Sequence, residues 1–389
     1  MSRVPAAVSE AERIVLRPRR LIFWVYLGLV GYSLATFGVL MVRQASVVPD
    51  AVVIAIVVQA VIGIVIYLLI RWLDLFEKEP RSLMAVAFVW GAVVATATAL
   101  QANTGAIGLV TKLGGTAVSE RWAPAIAGPL TEEALKVLGV LAVILLAREQ
   151  VQRSLDGLVY GALSGLGFEL VENVLYAINL AVQDPNSDKA AGIAISLARL
   201  FLGFGLHPMC TGMAGLGIAY AFTRTDRTRW QRVGVAVLLY LAGYAMHFLW
   251  NSPLLTPAEP GVGTLGSSAL KYGVLLVFFF LCYRYGARFD FSWFAATMKD
   301  EDPDILTAAE LQALRTRRSR RKARRVAGLK FGTPGRHLAR ELQHAQLAVA
   351  LARECDAPPE VLDTARQRVL AIRRKAAEWA MPRRAAGRP

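Results

Sequence analysis

Residues 51–70, AVVIAIVVQAVIGIVIYLLI, form an unbroken apolar run without a charged side chain. A helix needs about 20 apolar residues to cross the roughly 30 Å hydrocarbon core of a bilayer, so this run predicts a membrane span. Similar runs occur on both sides of it. The predicted spans lie at 21–42, 51–70, 83–102, 123–147, 157–182, 192–222, 233–251 and 267–283. The sequence therefore predicts an all-α fold, a polytopic membrane bundle of about eight transmembrane helices.

The composition agrees with a membrane protein. Of 389 residues, 55% are hydrophobic and 19% are charged, whereas about a quarter of the residues in an average soluble domain are charged. Three scattered cysteines give no CxxC pair, which excludes a disulfide scaffold. A wholly soluble enzyme and a disordered protein are excluded as well. The run at 21–42 is too long for a signal-peptide core and lacks a cleavage site, so it predicts a retained span.

The basic residues of the short loops predict the orientation. Lys and Arg are frequent before the first span and in every second loop after it, and they are scarce in the alternate loops. Basic loops favour the cytoplasm, so both termini are predicted to be cytoplasmic. The sequence divides into an N-terminal cytoplasmic segment (1–20), a transmembrane domain (21–283) and a basic cytoplasmic tail (284–389).

The tail has a strong positive charge, with 23 Lys and Arg against 12 Asp and Glu in residues 284–389. Helices are predicted at 303–326, 335–354 and 358–380, with Pro358-Pro359 as a break. Basic clusters beside a membrane attract anionic lipid head groups, so the predicted partners are these lipids or a cytoplasmic protein. Nucleic-acid binding is not expected, because no recognition fold is visible.

Charged residues inside predicted spans are the first functional signal, since each costs on the order of 3 kcal/mol at mid-bilayer. The fourth span contains TEEALK at 131–136. Lys136 is spaced to reach either Glu132 or Glu133 on a helix, which leaves one carboxylate without a partner. A buried structural salt bridge would explain one acid but not both. The Gly-Pro pair at 128–129 predicts the start of a new helical segment.

Three further spans carry polar candidates. They are Glu169, Glu172, Asn173, His207, His247 and Asn251. His247 and Asn251 are four residues apart and share a helix face. The overlong sixth span is predicted to kink or break near Gly203, Gly205 and Pro208. With the orientation above, these side chains lie in the outer half of the bilayer at a common depth, which predicts one site.

The chemistry of these residues leaves several functions open. Acids, imidazoles and an amide can activate water and stabilise an oxyanion without a cofactor, which suits amide hydrolysis. A divalent metal such as zinc is the main alternative, with ligands from Glu132, Glu172, His207 and His247. Cys210 follows His207 by three residues, but proximity alone does not make a catalytic pair. A proton-coupled transporter and a non-catalytic scaffold are the other hypotheses.

Four ordered motifs carry a family resemblance. They are Glu132-Glu133-x-x-Lys136, Phe168-x-x-x-Glu172-Asn173, His207 with Thr211 and Gly212, and His247-x-x-x-Asn251. Together they resemble the PrsW family of intramembrane proteases, which is similar to the CAAX-processing and bacteriocin-related membrane proteases. The acidic stretch DLFEKEP at 74–80 also resembles the cytoplasmic loop of that family. The resemblance covers roughly residues 20–285 and does not include the tail.

The resemblance implies cleavage of a membrane-protein substrate, such as a single-span anti-sigma factor, near the outer face. By motif, Glu132 is the expected base, Glu133 lies beside it, and Glu172 is a second acid or positions the water. His247 and Asn251 are the expected oxyanion donors, and His207 contributes a further polar group. The expected supporting residues are Lys136, Asn173 and Glu169.

Overall fold

The computed structural model describes residues 18–74, 79–184, 188–201, 203–256, 262–354 and 357–380. Within these ranges the regular structure is helical and no strand occurs, which confirms the all-α prediction. The helices are α1 (Leu21–Ala45), α2 (Pro49–Leu73), α3 (Arg81–Gly114), α4 (Thr116–Leu146), α5 (Ser154–Gln183), α6 (Asp188–Phe201), α7 (Leu206–Thr223), α8 (Arg229–Asn251), α9 (Val262–Thr297), α10 (Ala308–Leu314), α11 (Arg317–Glu354) and α12 (Pro359–Ala380).

The chain divides into two compact units, one ending at Gly286 and the other beginning at Ala287. The first, here called the membrane unit, contains α1 to α8 and most of α9. The second, the tail unit, contains α10 to α12. Residues 1–17 of the predicted N-terminal segment lie outside the described residues, and so do residues 75–78 of the acidic stretch.

In the described residues, six helices are long and apolar enough to cross a membrane: α1, α2, α3, α5, α8 and α9. The prediction of a helical membrane bundle is thereby confirmed, and its count of eight spans stays a prediction. The two remaining predicted spans correspond to α4 and to the pair α6–α7. Helix α4 has three charged residues in its middle, Glu132, Glu133 and Lys136, which lowers its apolar character.

The predicted break in the sixth span is confirmed, and the predicted restart in the fourth is wrong. Helix α6 ends before a turn whose Gly205 has a φ of +69°, and α7 starts at the next residue. Helix α4, in contrast, runs continuously through Gly128 and Pro129. A proline inside a helix removes the amide donor for one backbone carbonyl, here that of Ala125, and membrane helices tolerate this loss. The Thr131 hydroxyl does not cap a new helix and instead donates to the carbonyls of residues 127 and 128.

A row of glycines brings α5 and α7 into backbone contact. A Cβ atom on Gly161 would lie 2.4 Å from the Thr211 carbonyl oxygen, and one on Gly165 would lie 2.4 Å from that of His207. Small residues four apart allow membrane helices to approach this closely. The contact places the side chains of His207 and Thr211 against α4 and α5.

The tail unit is helical as predicted, with different boundaries. Instead of one helix over 303–326, α10 ends at Leu314 and α11 continues to Glu354. A kink with non-helical backbone at Phe331 and Gly332 divides α11. Thr307 caps α10 by accepting from the Glu310 amide, and small apolar side chains of α11 and α12 form a core.

Candidate active site

One cavity of about 220 Å³ in the membrane unit collects most of the predicted site residues. Residues of six helices line it, α3, α4, α5, α6, α7 and α8. Its predicted members are Glu132, Glu172, His207, His247 and Asn251. Residues separated by more than 100 positions in the chain therefore meet in one place, as the shared-site hypothesis requires.

The Lys136 side chain lies between the carboxylates of Glu132 and Glu133, next to this cavity. It is fully buried, and its Nζ lies 2.6 Å from Glu133 Oε1 and 3.8 Å from Glu132 Oε2. The other Glu133 oxygen, Oε2, accepts from the Thr211 hydroxyl at 2.8 Å. Both oxygens of Glu133 therefore have hydrogen-bond partners. A buried carboxylate needs such partners to remain charged.

Of the two adjacent acids, Glu132 is the one that lacks a full set of partners. Its Oε1 accepts from Asn103 Nδ2 at 3.0 Å. Its Oε2 is buried and has no hydrogen-bond partner. His247 Nε2 lies 3.8 Å from this oxygen, and Lys136 Nζ is equally far. A buried carboxylate oxygen that lacks a bond is available to a water or an ion.

The two histidines are held in opposite tautomers. An ammonium group can only donate, so the 2.6 Å contact from Lys136 Nζ makes His207 Nδ1 the acceptor. The ring hydrogen of a neutral His207 is then on Nε2, which donates to Glu172 Oε2 at 3.1 Å. In His247 the arrangement is reversed, because Nδ1 donates to Glu133 Oε1 at 2.9 Å. The Nε2 lone pair of His247 therefore faces the cavity.

Asn251 lies beside that lone pair. Its Nδ2 is 3.3 Å from His247 Nε2 and donates to the Pro124 carbonyl at 3.1 Å. The two side chains share a helix face, as their spacing predicts. With its hydrogen on Nδ1, however, a neutral His247 cannot donate from Nε2. Asn251 is therefore the donor in the contact between them, and its two amide hydrogens go to His247 Nε2 and to the Pro124 carbonyl.

The polar residues of α5 make two separate sets of contacts, one with Arg199 and one with the start of α7. Glu172 lines the cavity and pairs with Arg199, whose Nη2 lies 2.7 Å from Glu172 Oε2. Asn173 lies next to it and bonds Arg199 and Gln59. Glu169 instead accepts from the backbone amides of residues 205 and 207, at 2.9 and 3.2 Å. It stabilises the start of α7, where amides have no helical partner, and does not line the cavity.

Sequence reasoning missed two members of the site. Asn103 on α3 bonds both Glu132 and Thr131, and Tyr176 on α5 contacts the Arg199 guanidinium. The only signal for Asn103 is an amide near the end of an otherwise apolar run. Arg199 stands out as a charge in the sixth span, but its partner Glu172 could not be identified from spacing.

A divalent metal fits the donors of this site. Glu132, His207 and His247 each offer one atom within 4.8 Å of the others, and one Glu with two His is a ligand set of catalytic zinc. The unpartnered Glu132 oxygen and the His247 lone pair are suited to an ion. Glu133 holds the other nitrogen of His247, as a carboxylate behind a metal-binding histidine does. His207 would bind through Nε2 only with its ring hydrogen on Nδ1, and Lys136 Nζ would then have to accept that hydrogen as a neutral amine.

The comparison with known families covers this region. The model of the family described as PrsW family intramembrane metalloprotease matches residues 79–283, more than half of the chain. No curated protein and no solved structure matches the chain.

Proposed function

Since the chain belongs to the PrsW family of intramembrane metalloproteases and is a multi-pass membrane protease, we propose that it hydrolyses a peptide bond of a membrane-bound protein at the cavity lined by Glu132. The proposed substrate class is a single-span regulator such as an anti-sigma factor. One observation carries the proposal, the buried and unpartnered Oε2 of Glu132 beside the Nε2 lone pair of His247. Such a pair of acceptors is suited to an ion and the water it activates.

The proposed hydrolysis is of the metal type, with Glu132, His207 and His247 as the residues that hold a zinc-like ion. When bound, such an ion polarises the scissile carbonyl and makes a water molecule nucleophilic near neutral pH. This assignment replaces the expectation that Glu132 is itself the base. Glu172 is then the cavity carboxylate left to accept the proton of the attacking water.

The neighbouring side chains support these roles by position. Glu133 fixes the His247 ring through its 2.9 Å bond to Nδ1. Arg199 orients Glu172 and balances its charge. Asn251 would donate to the substrate carbonyl oxygen with the hydrogen that His247 Nε2 accepts in the free site, once that lone pair is used as a ligand. In this proposal, Lys136 neutralises the carboxylates and does not contact the substrate.

The site is proposed to act near the outer face of the membrane, with both termini in the cytoplasm. The distribution of basic loops supports this orientation. For the basic tail, contact with anionic lipid head groups or a cytoplasmic partner is proposed on its charge alone.

The test separates metal ligands from the base. The reconstituted protein is given a single-span reporter substrate, and product mass and bound zinc are measured for the parent and for Glu132→Gln, His247→Ala and Glu172→Gln. We expect all three variants to lose at least about 100-fold in cleavage rate. Glu132→Gln and His247→Ala should also lose the metal, whereas Glu172→Gln should retain it.

The matched control is Glu120→Gln, the same change on an exposed residue of α4, which should keep both cleavage and metal. If the parent is active without bound metal and chelators do not reduce its cleavage rate, the metal mechanism is wrong. Water activated by a glutamate would then be the mechanism. Equal cleavage by parent and variants would exclude the cavity as the active site. The terminus of the product shows on which side of the membrane the cut occurs.

A further inference from the structure

Five arginines gather around the kink of α11 in the tail unit. Arg321, Arg324 and Arg325 precede the kink, and Arg336 and Arg340 follow it. They line one open cavity of about 630 Å³, here called the arginine pocket. Its size is in the range of small-molecule binding sites.

The kink folds the two arms of α11 against each other. Gly332 has a φ of +69°, which favours glycine, and a Cβ atom on Gly335 would lie 2.8 Å from the Ala327 carbonyl oxygen. Gln343 joins the arms, since its Oε1 accepts from Arg324 Nε at 2.6 Å. The amide is neutral, so it fixes the position of Arg324 without balancing its charge.

Two carboxylates of the tail unit are paired with arginines outside the pocket. Glu301 pairs with Arg353 and Arg366, and Glu310 pairs with Arg373. In the part of the chain that the structure describes, none of the five pocket arginines forms an ion pair with Asp or Glu. Burial and the neighbouring arginines also lower the pKa of Arg324. The fold thus brings like charges together, an arrangement that an anion stabilises.

We propose that the arginine pocket binds an anion carrying at least two adjacent phosphate groups. Guanidinium groups bind phosphate oxygens in pairs of parallel hydrogen bonds, and the pocket offers them from two sides. A single phosphate would engage only part of the set. The same chemistry is found in soluble polyphosphates and in the head groups of multiply phosphorylated lipids. This proposal is independent of the protease assignment.

The first test measures pyrophosphate binding to the full chain in neutral detergent by titration calorimetry. We expect Arg336→Gln/Arg340→Gln to weaken binding at least 10-fold. The control Arg374→Gln/Lys375→Gln removes the same charge from exposed residues of α12 and should change affinity less than 2-fold. Arg336→Lys/Arg340→Lys keeps the positive charge but cannot form the paired hydrogen bonds. Its affinity for pyrophosphate should lie between those of the control and of Arg336→Gln/Arg340→Gln.

Two results would overturn the proposal: no binding of pyrophosphate to the parent, or equal weakening in the α12 control, which would indicate charge alone. Circular dichroism of each variant confirms that it is folded.

The second test repeats the titration in phosphatidylcholine bilayers with and without cardiolipin, a lipid with two phosphates. If cardiolipin lowers the apparent affinity for pyrophosphate 10-fold in the parent but not in Arg336→Gln/Arg340→Gln, the pocket binds lipid head groups. An unchanged affinity assigns it to a soluble polyphosphate.

Discussion

The membrane unit and the tail unit place charges in opposite ways. In the membrane unit, buried Lys136 contacts Glu133 at 2.6 Å, and Glu172 meets Arg199 at 2.7 Å. In the tail unit, the pocket arginines face one another without a described carboxylate partner. An unpaired charge costs several kcal/mol when it is buried, whereas solvent and salt screen charges at a surface. The comparison shows that ion pairs hold the buried side chains of the membrane unit in place. In the tail unit, the charges of the pocket arginines remain available to a ligand.

The largest expected effect is the removal of the cation in the membrane unit. Lys136→Met leaves the buried Glu133 without its nearest opposite charge. We expect a loss of about 3–5 kcal/mol in the free energy of unfolding, measured by denaturant titration in detergent. The double variant Glu133→Gln/Lys136→Met should recover part of the loss. A single variant as stable as the parent would show that the pair is dispensable.

The helix contact that brings His207 to Lys136 should be the next most sensitive. Gly161→Ala adds a Cβ atom 2.4 Å from the Thr211 carbonyl oxygen, and α5 and α7 must separate to make room. We expect a loss of about 1–3 kcal/mol in unfolding free energy, together with slower cleavage. Gly234→Ala, with no atom within 4 Å of the added Cβ, is the control and should be stabilising by about 0.5–1 kcal/mol.

In the tail unit the effect of removing charge should have the opposite sign. Without a bound anion, Arg336→Gln/Arg340→Gln relieves like-charge repulsion in the arginine pocket. We expect α11 to gain about 0.5 kcal/mol of stability at low salt, and the gain to disappear at high salt. Hydrogen exchange of α11 amides in the full chain measures it. A loss of protection at low salt would contradict this account.

The smallest expected effect is a pH dependence of the tail unit. Burial and nearby arginines lower the pKa of His344 below its usual value near 6.5. The arginines are Arg324, Arg340, Arg320 and Arg368. The unfolded chain therefore binds the proton more readily, so stability is complete above about pH 6.5 and falls as the pH drops below it. Below about pH 6.5, the hydrogen-exchange protection of the α11 amides should decrease in the parent and should decrease less in His344→Gln.

The sequence predicted the parts of the fold that depend on local pattern. Apolar runs located the membrane helices, and Gly205 marked the break before α7. It also predicted that one of two adjacent acids lacks a full partner, because a single lysine follows them. The restart at Gly128 and Pro129 was wrong, since Pro129 removes only one backbone hydrogen bond and α4 continues through it.

The spacing of the residues could not show which acid is available, because distant helices decide it, and only the family resemblance pointed to Glu132. Thr211 from α7 and His247 from α8 both bond Glu133, which leaves Glu132 to face the cavity. Neither contact has a signature in the spacing of the residues on α4. Asn103 was missed for the same reason, since its role comes from the packing of α3 on α4.

The burial of Lys136 has a consequence for biogenesis. During synthesis, α4 leaves the ribosome before α7 and α8, so Glu132, Glu133 and Lys136 are made before Thr211, His207 and His247 are available. Each charge disfavours insertion by about 3 kcal/mol on its own. We therefore expect α4 to insert together with the helices that pair with its charges rather than alone.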